Sequence, residues 1–103
     1  MPLVVLITTK DKAEAKKIID FLLMNKLIAC ANIIDSVSSL FWWNDKIDKA
    51  SEVLIVAKTK KTKFKRIIKE VKSLHSYDVP EIIALPIIDG NPDYLKWIND
   101  SIN

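Results

Sequence analysis

The residue with the most specific chemistry in this chain is its only histidine, His75. An imidazole can bind a metal ion or carry a proton, but copper and zinc sites take three or four N, S or O ligands. One histidine therefore cannot form such a site alone. The alternative interpretation is a residue in the last turn of a helix, hydrogen-bonded near Tyr77, where the helix dipole favours partial positive charge. Both interpretations stay open, and His75 is the one candidate metal ligand.

The single cysteine, Cys30, lies between two alanines, which indicates a tightly packed position. A free cysteine in such a place usually behaves as a small buried hydrophobe. A nucleophile–base pair of Cys30 with His75 is the enzymatic alternative, but no Gly-rich elbow accompanies it. We therefore predict no catalytic residue. With one cysteine no intrachain disulfide can form, and the reducing cytoplasm is the expected compartment.

A basic run between Lys58 and Arg66 is the only feature that suggests nucleic-acid binding. Charge density alone supports non-specific binding to phosphates. However, arginine is nearly absent, the net charge of the chain is only +3, and apolar residues recur through this region at helical spacing. We predict a solvated helix face and no nucleic-acid partner. The chain also lacks a Gly-rich phosphate loop, since its only glycine is Gly90.

The elements that position these residues begin with a strand and a helix. The continuous apolar run 3–9 predicts a central strand covered on at least one face. Apolar residues at helical spacing then predict a helix over 12–25. Asp11 and Glu14 resemble a capping box at its start, and Asn25 is the expected left-handed stop.

A long β-hairpin follows, with arms Leu27–Trp43 and Ile47–Thr59 around the polar tip 44–46. Each arm exceeds the typical strand of about five or six residues. A ferredoxin-like sheet would leave the distal part, including Phe41, Trp42 and Trp43, beyond its own core. Long apolar edges pair readily with other chains. We therefore predict a closed symmetric oligomer with these three aromatic residues at its interface.

A second helix, capped by Thr59 or Thr62, is predicted to carry its apolar stripe from Phe64 to Leu74. A fourth strand is predicted at 81–88, where Pro86 marks a bulge or a sheet edge. A third helix begins after Asn91 as the N-cap, with Pro92 at its first position.

The resulting order is β-α-β-β-α-β with a terminal helix, an α+β fold of the ferredoxin-like type, in one domain covering residues 1–103. No apolar run approaches the 18 or so residues of a membrane span, so no membrane association is expected. Because 1–3 lead directly into a strand-like run, we expect no signal peptide.

Five blocks of sequence in this chain resemble the CutA family, the divalent-cation tolerance proteins. The blocks are Ala29-Cys30-Ala31-Asn32-Ile33, Ser39-Leu40-Phe41-Trp42-Trp43, Lys58-Thr59, His75-Ser76-Tyr77-Asp78-Val79-Pro80-Glu81-Ile82 and Tyr94-Leu95-Lys96-Trp97-Ile98. The resemblance implies a small cytoplasmic homotrimer of PII-like architecture, assembled through long hairpins and without established enzymatic activity. It also implies a link to the response to metal ions, with copper as the expected divalent cation.

The chain departs from the family pattern at several positions. Ser76 stands where the family usually has proline, and Asp45 where the hairpin tip usually has glycine. Bacterial relatives with an assigned copper site use a first-strand cysteine and two adjacent histidines. Ile7 and Leu74 occupy two of those three positions, so only His75 carries over.

The resemblance also directs attention to polar residues that would surround clefts between subunits. These are Glu52, Lys58, Tyr77, Asp78 and Glu81. They could bind an anion, a metabolite or a hard cation, or they could form only interface salt bridges and hydrogen bonds. The second functional hypothesis is therefore a PII-like signalling module that binds a small anionic metabolite in these clefts.

Overall fold

A computed structural model describes residues 1–103. Its elements are β1 (Pro2–Thr9), α1 (Lys12–Met24), β2 (Cys30–Trp43), β3 (Lys46–Lys60), α2 (Lys61–Leu74), β4 (Ile82–Pro86) and α3 (Pro92–Ser101). The four strands form one antiparallel sheet in the order β2-β3-β1-β4. This is the ferredoxin-like arrangement with a long central hairpin and a C-terminal helix, as predicted.

Helices α1 and α2 cover one face of the sheet and enclose the core. Alternation along β1, and along β3 from Val53 onward, places every second side chain under these helices, as the pleat of a strand requires. Val5, Ile7 and Ile55 are fully buried there, against Ile18 of α1 and Ile67 of α2. The first-strand prediction of a central strand covered on one face is confirmed.

The opposite face of the sheet is open along most of its length, and we call it the open face. Its apolar residues are Val4, Leu6, Ile34, Leu54, Val56, Ile83 and Leu85. Helix α3 covers only one end, where Lys60 Nζ donates to Asn99 Oδ1 at 3.3 Å and Cys30 Sγ lies 3.4 Å from the Tyr94 hydroxyl. The remainder of this apolar face has no covering element within the chain.

The hairpin extends beyond the helices and gives the molecule its long axis of 44 Å. Its two-residue turn places Asn44 and Asp45 in the left-handed region, at φ 51° and 63°, as a type I′ turn requires. A β-bulge interrupts the β2–β3 ladder between Ile34 and Val37, and Ser36 has φ 58°. The extra residue changes which side chains of β2 share the open face.

The element boundaries correct several predictions. Helix α1 is capped by Asp11, whose carboxylate accepts from Glu14 N at 2.8 Å, but Asn25 is not left-handed; Lys26 is, at φ 53°. Neither Thr59 nor Thr62 caps α2, because Lys60 is the N-cap residue and the buried Thr59 hydroxyl donates to Leu27 O at 2.6 Å.

Further boundaries are shifted by a few residues. His75 follows α2 as its C-cap residue rather than lying in its last turn. The hairpin arms begin at Cys30 and Lys46, and β4 is shorter than predicted, at Ile82–Pro86. Pro86 is the last residue of β4, an edge strand, where a missing N–H leaves no gap in the ladder. The third helix starts as predicted, with the Asn91 side chain accepting from Asp93 N at 3.0 Å.

Candidate functional site

A groove of about 920 Å³ lies between the hairpin and the connector that joins α2 to β4. We call it the hairpin groove. Its lining residues are Thr8, Ser38, Ser39, Leu40, Phe41, Trp43, Asp48, Ala50, Glu52, Tyr77, Asp78, Val79 and Glu81. It continues the open face toward the hairpin tip, so that the apolar sheet and the groove share one side of the molecule.

The hairpin wall of the groove is set by strand alternation and by the bulge. Asp48, Ala50 and Glu52 alternate along β3 and point to the same side. Before the bulge Ile34 pairs with Leu54, whereas after it Phe41 pairs with Asp48. Odd-numbered residues of β2 thus replace even-numbered ones on this side, and Phe41 and Trp43 reach the groove.

The connector wall is held by hydrogen bonds to two neighbouring elements, α1 and β3. Glu14 of α1 accepts from Ser76 N at 2.8 Å through one carboxylate oxygen and from Lys10 N at 3.2 Å through the other. The Tyr77 hydroxyl donates to Glu52 Oε2 at 2.7 Å, which links the connector to β3. Glu52 is only 8% exposed, so this hydrogen bond satisfies a carboxylate that has little contact with water.

The protonation states of these groups follow from their surroundings. Burial, and then the hydrogen bond to Glu52, raise the pKa of Tyr77 to about 12, so its hydroxyl remains a donor at neutral pH. Burial acts to raise the pKa of Glu14, but hydrogen bonds from Ser76 and Lys10 outweigh it. The net result is a pKa below the ordinary value for glutamate.

The groove is acidic. Its lining includes the carboxylates of Asp48, Glu52, Asp78 and Glu81, and no lysine or arginine. Glu52 is buried and the other three residues are exposed, but all four charges have the same sign, so a cation is favoured in this groove over an anion. Carboxylate oxygens are also the ligands that hard divalent cations prefer.

Four of the five predicted cleft residues meet in this groove, and the fifth does not. Lys58 lies six residues from Glu52 along β3, roughly 20 Å away at the usual rise of a strand. Its Nζ donates to Asn32 Oδ1 at 2.5 Å on the open face. Asp48 was not predicted, although it lies two alternations before Glu52 on the same hairpin arm and its position follows from that spacing.

The side chains of one protomer do not fit a copper site. Each ring nitrogen of His75 already has a hydrogen-bond partner, Thr8 O at 2.7 Å and Tyr77 N at 3.0 Å. Ile7 is buried in the core, and Leu74 packs against it. No group of three or more His, Cys, Asp or Glu side chains is arranged to hold a metal ion.

Cys30 and His75 are not brought together. Cys30 pairs with Lys58, which is opposite Val4, whereas His75 contacts Thr8, four residues further along β1. The separation is roughly 13 Å along the strands. The arrangement provides no nucleophile–base pair.

The three aromatic residues predicted at an interface are exposed within the protomer. Trp42 and Trp43 are 73% and 62% exposed, and Phe41 is also exposed. Phe41 and Trp43 face the groove, while Trp42 points to the other side of the hairpin. Large apolar side chains clustered in this way mark contact surfaces. No helix of the chain is long and apolar enough to cross a membrane.

Comparison with known sequences identifies one family. The family model described as CutA1 divalent ion tolerance protein matches residues 3–101. Divalent-cation tolerance protein CutA of Thermus thermophilus is 39% identical over 98 residues, which cover 95% of each chain. Protein CutA 1, chloroplastic, of Oryza sativa is 38% identical over 99 residues, or 96% of this chain and 56% of the relative. The chain thus spans little more than half the length of that rice relative.

Solved structures agree with these relatives. The protein described as the periplasmic divalent cation tolerance protein CutA from Archaeoglobus fulgidus matches with a TM-score of 0.97, 40% identity and complete coverage of both chains. CutA1 from Pyrococcus horikoshii matches with a TM-score of 0.91 and 36% identity over 98% of each chain.

Proposed function

The chain belongs to the CutA1 divalent ion tolerance family, and from this premise we propose that it acts in the response to divalent metal ions as a non-enzymatic, cytoplasmic homotrimer. The observation that carries the proposal is the acidic hairpin groove on the same side as the uncovered apolar face. Assembly through that face brings each groove next to a neighbouring protomer. The groove then becomes a cleft between subunits.

Assembly is supported by the apolar residues that the protomer leaves uncovered. Ile34, Ile83 and Leu85 on the open face are each about half exposed, and Trp43 on the same side of the hairpin is 62% exposed. A contiguous apolar surface of this kind indicates a protein–protein contact. Three copies related by a three-fold axis close the assembly, whereas an open arrangement would polymerise.

Cation binding is supported by the groove carboxylates. Glu52, Asp78 and Glu81 offer oxygen ligands, and Glu52 retains one oxygen after accepting from Tyr77. These ligands suit hard divalent cations, whereas copper prefers imidazole and sulfur. We therefore propose weak divalent-cation binding at the groove, with copper tested first because of the family resemblance. Because no three of these carboxylates converge within one protomer, the ligand set for any of these cations would have to be completed by a second protomer.

Calorimetric titration with Cu²⁺, Mn²⁺ and Mg²⁺ tests this proposal. We expect a saturable isotherm for wild type that is weakened at least tenfold in the double variant Asp78→Asn/Glu81→Gln. Asp89→Asn is the matched control, because Asp89 is an exposed carboxylate outside the groove. Identical isotherms for wild type and the double variant would remove the groove from consideration, and absence of heat with all three ions would contradict direct cation binding.

A PII-like module binding an anionic metabolite is the second candidate. Lys58, on the open face beside Asn32, is the basic residue that could meet an anion once protomers assemble. Ligand binding to the folded state raises the melting temperature. A rise with anionic metabolites that Lys58→Gln abolishes would favour this candidate over cation binding.

The cytoplasmic location is supported by the single cysteine, since a chain without a disulfide requires no oxidising compartment. Fractionation of cells that express the tagged full-length protein tests it. Recovery with the periplasmic fraction would overturn this part of the proposal.

A further inference from the structure

His75 holds both of its ring nitrogens in hydrogen bonds to the backbone. Thr8 O is an acceptor only, so His75 Nε2 carries the hydrogen of the 2.7 Å contact. Tyr77 N–H is a donor only, so Nδ1 presents its lone pair at 3.0 Å. Together these contacts specify the neutral imidazole with hydrogen on Nε2.

The same ring connects the end of α2 to the groove. The ring centroids of His75 and Tyr77 are 4.7 Å apart, and the hydroxyl of Tyr77 reaches Glu52 Oε2 in the groove wall. His75 itself is only 9% exposed and does not line the groove. It therefore acts on the groove through Tyr77.

A metal ion at either nitrogen would remove one of these hydrogen bonds. Binding at Nδ1 displaces the Tyr77 amide, and binding at Nε2 leaves Thr8 O without its donor. Both backbone groups are partly buried, so the loss of either partner costs part of the desolvation free energy of that group. The neighbouring positions offer no compensation, because Ile7 and Leu74 are apolar and no other histidine exists.

We propose that His75 is a positioning residue, which fixes Tyr77 and the connector as one wall of the hairpin groove, and that its imidazole does not ligate metal. The proposal deepens the proposed function, because it concerns the wall of the groove assigned there to cations. It also replaces the role that the family resemblance implies for His75.

The first test uses the intact protein without substitution. Because His75 is the only histidine, a long-range proton–nitrogen spectrum of ¹⁵N-labelled protein contains one imidazole spin system. We expect the pattern of the Nε2–H tautomer at about pH 8, where a free imidazole is neutral. Adding diamagnetic Zn²⁺ to stoichiometry and then in tenfold excess should leave it unchanged. A stoichiometric shift of either ring nitrogen would overturn the proposal.

The second test separates the two hydrogen bonds by substitution. In His75→Asn the side-chain oxygen can replace Nδ1 as acceptor for Tyr77 N–H, whereas in His75→Gln the amide can replace Nε2 as donor to Thr8. We expect hydrogen exchange of the Tyr77 amide to accelerate roughly fivefold in His75→Gln and to stay near wild type in His75→Asn. Amides of β1 and β3 serve as the internal reference for intact folding.

Equal exchange rates of the Tyr77 amide in wild type and His75→Gln would refute the positioning role. These measurements need no bound ion in the groove. A groove that fails to bind cations in calorimetry therefore contradicts the proposed function alone, whereas unchanged Tyr77 exchange contradicts the role of His75 alone.

Discussion

Ile83→Lys is the perturbation that tests assembly through the open face most directly. Ile83 lies opposite Leu6 in the β1–β4 ladder, on the side of the sheet away from α1 and α2, and is 48% exposed. A lysine at this position reaches water in an isolated protomer. We therefore expect the protomer to fold while the trimer is lost.

The magnitude follows from burial and charge. Complete burial of an isoleucine side chain contributes about 1.5–3 kcal/mol, so covering the exposed half of Ile83 contributes roughly 1 kcal/mol. Enclosing an unpaired ammonium group costs several kcal/mol more. Since a trimer contains three copies, the total is on the order of 10 kcal/mol, enough to change an association constant by about seven powers of ten.

Light scattering at micromolar concentration, with circular dichroism as the check on folding, measures this outcome. Leu23→Lys is the matched control, because Leu23 is 40% exposed but lies on α1 at the helical side. We expect trimer mass for wild type and Leu23→Lys and protomer mass for Ile83→Lys. A wild-type protein that is monomeric, or a trimeric Ile83→Lys, would refute the reasoning.

Three further predictions concern single residues. Tyr77→Phe should lower the free energy of unfolding by about 1–3 kcal/mol because Glu52 loses its hydrogen-bond donor. The pKa of Tyr77 in the folded protein, about 12, lies above the ordinary value of 10. Denaturation at a series of pH values should therefore show the full difference below pH 10 and its loss between pH 10 and 12. Because the pKa of Glu14 is lowered in the folded protein, Glu14→Gln should be less stable than wild type above about pH 4.5. Chemical denaturation should show the two unfolding free energies converging as the pH falls through that lowered pKa. A difference in unfolding free energy that does not change with pH would contradict this prediction. Asp45→Gly should raise the melting temperature, by a stabilisation of about 1 kcal/mol, because glycine adopts φ 63° without strain; an unchanged or lower melting temperature would argue against strain at the turn.

The fold was largely predictable because local and periodic signals agreed. The side chains of Asp11 before α1 and Asn91 before α3 accept from backbone N–H groups that any helix start exposes, so their positions follow from residue type. The prediction that Thr59 could cap α2 was wrong because of a tertiary contact. The Thr59 hydroxyl donates to the backbone oxygen of Leu27, 32 residues away, and no local sequence pattern indicates such a partner.

The site was predictable only in part. Tyr77, Asp78 and Glu81 are adjacent in sequence, and their meeting with Glu52 depends on β4 and β3 flanking β1. The role of Glu14 as an anchor for Ser76 spans 62 residues. The sequence does not indicate this contact, because a glutamate at position 14 is already expected in the first turn of a helix.

The β-bulge at Asp35–Ser36 shifts the alternation of side chains along β2 by one residue. Up to Ile34, the even-numbered side chains of β2 lie on the same side as Leu54. From Val37 onward, the odd-numbered side chains lie on that side. If the same residues paired without the bulge, the register would slip by one residue, and Leu40 and Trp42 would take the side of the hairpin that Phe41 and Trp43 now share with Asp48. The side chains that the hairpin presents on each side thus depend on the number of residues paired in β2 as well as on their chemistry.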